Sequence, residues 1–103
     1  MSKRLGVLEK MVAGGAADAF TLYALAMEYR SLGRNDDALR TFTELREKDA
    51  KYVPVYLMAG QLLSELGRDA EARGWLEAGI DAADRAGDMK AKSELSAALA
   101  ECE

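Results

Sequence analysis

The sequence has no histidine, one cysteine, one proline and only 7% aromatic residues. Without histidine it lacks the commonest general base and the usual partner of a nucleophile, so little is left from which to build an enzyme. The single cysteine, Cys102, excludes an intramolecular disulfide and suits a reducing compartment. No basic residue stands near it in sequence to stabilise a thiolate, so it reads as a packed or exposed terminal thiol. No run of 18 apolar residues occurs, so no membrane span is expected. Met1 to Leu8 starts like a secretory leader, but Glu9 and Lys10 interrupt it before an apolar core develops. A soluble, cytoplasmic protein is expected. The net charge of -4 comes without the basic stripe that nucleic acid requires.

What the chain does contain is alanine, leucine and a period. Half of its 103 residues are hydrophobic, enough for one small domain with a modest core. Leu32-Gly33-Arg34-Asn35-Asp36-Asp37-Ala38 returns as Leu66-Gly67-Arg68-Asp69-Ala70-Glu71-Ala72, displaced by 34 residues. A fixed period of that size marks stacked helical hairpins, which bind along an extended face and seldom do chemistry.

Six helical segments follow from the spacing of apolar residues and the punctuation between them. The first, about Lys3 to Ala13, carries Leu5, Leu8, Met11 and Val12, and Gly14-Gly15 ends it. Asp18 caps a second helix, about Ala19 to Leu32, with Leu22, Leu25, Ala26 and Tyr29 on its inner face. Gly33 closes that helix, and Asn35 is expected to cap a third, running to about Lys48 with Ala38, Phe42 and Leu45 inward. Pro54 opens the fourth, which buries Tyr56, Ala59, Gly60 and Leu63. Asp69 is expected to cap the fifth, with Ala72, Leu76, Ile80 and Trp75 inward. Gly74 and Gly79 weaken this helix by ~1 kcal/mol each relative to alanine, and spacing alone leaves open whether they permit close contact or are simply tolerated. Gly87-Asp88 stops it and opens a last helix with Ala91, Leu95, Ala98, Leu99 and Cys102 on one stripe. The opposite face, Lys90, Lys92, Ser93, Ser96 and Glu101, is polar, as a terminal element requires.

This pattern resembles the tetratricopeptide repeat family, whose repeat sets an aromatic, a leucine, a small residue and a second aromatic on one helix, then alanine, an aromatic and proline. Leu22, Leu25, Ala26, Tyr29, Ala38 and Phe42 hold these places in one repeat, with Ala50 in place of the proline. Tyr56, Ala59, Gly60, Leu63, Ala72 and Leu76 hold them in the next, with Asp84 in that place. The resemblance implies an all-α fold, a right-handed α-α superhelix of about six stacked antiparallel helices. It divides a single domain into a half-repeat at 1–16, repeats at 19–52 and 53–86, and a capping helix at 88–103. Leu8 and Met11 stand 34 residues before Phe42 and Leu45, so the first helix is similar to the second half of a repeat.

The resemblance further implies a scaffold that binds a protein or peptide on a concave face lined by the first helix of each repeat. The residues there are Phe20, Tyr23, Met27, Arg30, Leu57, Gln61 and Ser64. Tyr23 and Met27 stand where some family members place lysine and asparagine to hold acidic C-termini, so an apolar groove for a hydrophobic or amphipathic segment is expected instead. The alternative is a homodimer formed through the same apolar face. No cofactor, metal, nucleic-acid or membrane partner is expected, and no catalytic residue. Glu77, Asp81 and Asp84 share a helix face but read as a solvated surface balanced by Arg73 and Arg85. Ala13-Gly14-Gly15-Ala16 lacks the lysine of a phosphate loop and reads as a connector.

Overall fold

The computed structural model describes residues 2–102, so Met1 and Glu103, at the outer ends of the expected half-repeat and capping segment, lie outside the described residues. Those described form six helices and no strand. They divide into two compact units, residues 2–49 and 50–102.

The first unit contains α1 (Lys3–Ala13), α2 (Ala19–Ser31) and α3 (Asn35–Lys48). Ser2 caps α1 by accepting from the Leu5 N–H, and Asp18 caps α2 by accepting from the Thr21 N–H at 2.8 Å. That bond holds the Asp18 carboxyl below its ordinary pKa, because it favours the ionised form. Leu22, Leu25 and Ala26 of α2 and Ala38, Phe42 and Leu45 of α3 are buried, as their spacing predicts. α1 departs from expectation. Leu5 is buried, Leu8 and Val12 are only half-buried, and Met11 is 42% exposed. Within this unit α1 packs mainly on α2, which leaves part of its stripe uncovered.

The second unit contains α4 (Pro54–Glu65), α5 (Asp69–Ala86) and α6 (Met89–Glu101), with α5 packed against both neighbours. The two weakening glycines of α5 differ sharply. A Cβ on Gly79 would lie 2.5 Å from the Tyr56 Cβ and 2.8 Å from a Leu95 methyl, whereas a Cβ on Gly74 would meet nothing within 4 Å. Gly79 therefore lets α4 and α6 close on α5, and Gly74 is merely tolerated. Gly60 of α4 allows a similar approach to α5, since a Cβ there would lie 2.6 Å from a Leu76 methyl. Trp75 and Ile80, expected inward, are half-buried; Trp75 packs against Tyr56 with ring centroids 6.0 Å apart. Gly60→Leu should lower unfolding stability by about 2 kcal/mol through overpacking against Leu76. A urea midpoint equal to that of the parent chain would contradict this contact.

The repeated heptapeptide makes one structure twice. After α2, the N–H groups of Gly33 and Arg34 donate to the carbonyls of Arg30 and Tyr29; after α4, those of Gly67 and Arg68 donate to Ser64 and Leu63. Gly33 and Gly67 have φ of 75° and 76°, a left-handed conformation in which a Cβ is strained. The caps that follow differ from those expected. Asn35 and Asp69 are the first residues inside α3 and α5, and the cap positions belong to Arg34 and Arg68, neither with a side-chain cap bond. Each arginine instead reaches forward, Arg34 to Asp37 at 2.9 Å and Arg68 to Glu71 at 2.6 Å. These bonds hold both carboxyls below their ordinary pKa.

Candidate functional site

On α2, the face away from the core begins with Phe20, which is 72% exposed. Tyr23, one turn along, and Met27, one turn further, are half-buried on the same side. These three line a groove of about 640 Å³ whose other wall is α1, through Arg4, Val7 and Leu8. Val7 is 57% exposed. The sequence reading thus found the α2 wall but missed the α1 wall. Val7 and Arg4 lie off the apolar stripe of α1, and it is the structure that places them along the groove.

The rim of this groove is fixed by polar bonds between the two helices. Ser2 Oγ donates to Glu28 Oε2 at 2.8 Å, and the Arg4 guanidinium lies 3.5 Å from Glu28 Oε1. On the other side of α2, the Tyr29 hydroxyl donates to Glu9 at 2.7 Å, and the Arg34 guanidinium sits 4.8 Å above the Tyr29 ring. Burial, then the hydrogen bond to the anionic Glu9, pushes the Tyr29 hydroxyl up to about 12. Because the folded state favours neutral tyrosine, its stabilisation is complete below the ordinary tyrosine pKa near 10 and fades as pH rises through 12. In an ultraviolet titration, the signal lost in Tyr29→Phe should centre near pH 12, and Glu9→Gln should move it down. A Tyr29 midpoint near pH 10 would show that the α1–α2 bond does not form.

Arg30 is half-buried on α2, outside the groove lining. In the second unit, Gln61 and Ser64 line a shallow cleft of about 310 Å³ with Gly60, Glu65 and Leu76, closed by Ala98 and Glu101 of α6. Leu57 is half-buried on α4 and does not line that cleft.

The acidic residues of α5 are engaged differently from the expected balance with Arg73 and Arg85. Asp84 pairs with Lys92 of α6 at 2.8 Å, which holds its pKa down, and Arg73 donates to the Cys102 carbonyl. No group of three or more metal-ligating side chains occurs among the described residues.

The family model described as tetratricopeptide repeat matches residues 29–101. The chain belongs to the tetratricopeptide repeat family. Its fold is the all-α fold of that family. No curated protein matches it. Among solved structures, it is similar to a tetratricopeptide repeat domain protein from Salinibacter ruber. The solution structure of that protein shares 38% identity at a TM-score of 0.79, over 84% of this chain and 87% of the other. Its crystal structure matches at 0.77, again with 38% identity, over 82% and 94% of the two chains. A Bordetella parapertussis protein shares 27% identity at a TM-score of 0.84, over 99% of this chain and 89% of its own. Tetratricopeptide repeats are generally protein–protein interaction modules and are typically non-catalytic. No described helix is long and apolar enough to cross a membrane.

Proposed function

We propose that this tetratricopeptide repeat chain is a non-enzymatic adaptor that holds a partner protein through the first helices of its repeats. Residues 19–52 and 53–86 serve as the two repeats, 1–16 as a half-repeat and 88–103 as a cap. The first unit contributes Phe20, Tyr23, Met27 and Arg30, and the second contributes Leu57, Gln61 and Ser64. The observation that carries this reading is the second apolar face of α2. Leu22, Leu25 and Ala26 already supply its core face, yet Phe20, Tyr23 and Met27 form another around the helix. Aromatic and methionine side chains suit a contact surface because they offer large apolar area and adaptable packing. An apolar face on a chain of net charge -4 favours a protein partner over nucleic acid, and the single unbridged cysteine favours a reducing, cytoplasmic setting.

Affinity capture from extract of the source cell tests the proposal. Tyr23→Ala combined with Leu57→Ser should reduce capture at least tenfold while leaving helicity nearly unchanged. Capture that survives the double change places binding elsewhere. The exposed apolar residues also favour self-association as a second reading. Light scattering over a concentration range separates the two, since an adaptor stays monomeric without its partner.

A further inference from the structure

The 34-residue period places Leu8, Phe42 and Leu76 at equivalent positions of α1, α3 and α5. Phe42 and Leu76 are essentially fully buried, whereas Leu8 is half-buried and Met11, the counterpart of fully buried Leu45, is 42% exposed. The chain itself shows what covers such a position. In the second unit α4 lies across α5 so closely that its Gly60 backbone leaves no room for a Cβ over Leu76. In the first unit α2 packs against α3, with Ala26 at the position equivalent to Gly60. The groove between α1 and α2 has the form of that seat, with Leu8, Tyr23 and Met27 within it and Val7 and Phe20 on its two walls.

Charge identifies the occupant. Lys3, Val7 and Lys10 are spaced to fall on one edge of α1, and Arg4 stands a turn before Leu8; all three cations are exposed. Two carboxylates of this unit are engaged by other groups, Glu28 by Ser2 and Arg4, and Glu9 by Tyr29. We infer that the groove receives one amphipathic helix from a partner protein, apolar on the face toward Leu8, with a small residue at its centre and carboxylates along the edge facing Lys3 and Lys10. The helix completes with α1 the hairpin that α2 makes with α3. This assignment rests on the adaptor reading and specifies its ligand. The concave form of the site favours a rod over a membrane surface, because Tyr23 and Met27 are recessed between two helices.

The test uses the full chain and a 14-residue hydrocarbon-stapled peptide with the spacing Leu-x-x-Leu-Ala-x-x-Tyr and glutamates at its outer positions. Comparators are the same peptide with lysines for the glutamates, an unstapled version broken by a central proline, and anionic phospholipid vesicles. In a nitrogen-15 NMR titration the acidic helix should shift resonances of α1 and α2. Val7→Asp should abolish those shifts, Met11→Glu should weaken them should Val7→Asp fail to fold, and Lys3→Glu with Lys10→Glu should raise the dissociation constant at least tenfold. Ser96→Asp on α6 should change nothing. Equal binding of the proline-broken peptide, preference for the lysine peptide, shifts confined to residues 50–102, or no shifts at all would each overturn the inference. So would vesicle binding that excludes the peptide, or dimerisation abolished by Val7→Asp. A native partner captured equally by the parent chain and by Val7→Asp overturns the helix seat while leaving the adaptor reading intact. Peptide binding in a chain that captures nothing from extract supports the seat and removes only the adaptor reading.

Discussion

Gly79→Val is expected to destabilise the second unit by about 3 kcal/mol, the upper end of what overpacking costs. The new side chain would be driven into the Tyr56 Cβ, which is fixed to the α4 backbone and cannot rotate away, and into Leu95 of α6. Relief requires two helices to move at once. Gly74→Ala, five residues earlier on the same helix, should have the opposite sign. A Cβ there meets no neighbour, so only the gain in helix propensity remains, up to about 1 kcal/mol. Urea denaturation followed by the single tryptophan, Trp75, which packs on Tyr56, reads both changes in the unit concerned. Two substitutions of equal sign would refute the close helix approach at Gly79.

Removal of residues 88–103 should cost the second unit its cooperative unfolding and drive aggregation. Leu95 is 1% exposed and seats against Gly79, so its loss opens the groove at the middle of α5. The loss also breaks the Lys92–Asp84 pair and the Arg73 bond to the Cys102 carbonyl. Truncating one buried leucine alone typically costs about 2–5 kcal/mol, comparable to the whole stability of so small a unit. Light scattering and circular dichroism on the shortened chain give the readout. A monomeric product with a sharp thermal transition would show that α6 is dispensable.

Much of this fold is legible in the sequence because its signals are local and recur. The glycine stops at Gly33, Gly67 and Gly87, the caps at Asp18 and Asp88, and the stripes of α2 to α5 follow from spacing and backbone sterics. Tertiary contact decided what local rules left open. Gly74 and Gly79 are alike in sequence and unlike in surroundings, and the partner of Gly60 depends on how two helices cross. Asn35 and Asp69 are good cap residues by type, but the schedule of the preceding glycine turn carries Arg34 and Arg68 to the cap positions. For the candidate face, Phe20, Tyr23 and Met27 were legible as a surplus apolar stripe on α2. Val7 and Arg4 were not, since an apolar stripe on α1 looks the same whether or not a neighbour covers it.

Cys102 follows the last residue of α6, buried, with its Sγ 3.6 Å from the Asp69 carbonyl at the start of α5. Little of this residue reaches solvent, so its sulfur meets a reagent chiefly when the end of α6 lifts away. The thiol is therefore a built-in clock for that motion: under fast-trapping conditions, its rate of alkylation equals the rate of opening, and under slow trapping it reports the opening equilibrium. Because the sequence holds no other cysteine, the signal needs no engineered label. Any ligand that clamps α6 onto α5 would slow the clock, and one that binds only the first unit would leave it running at its original pace.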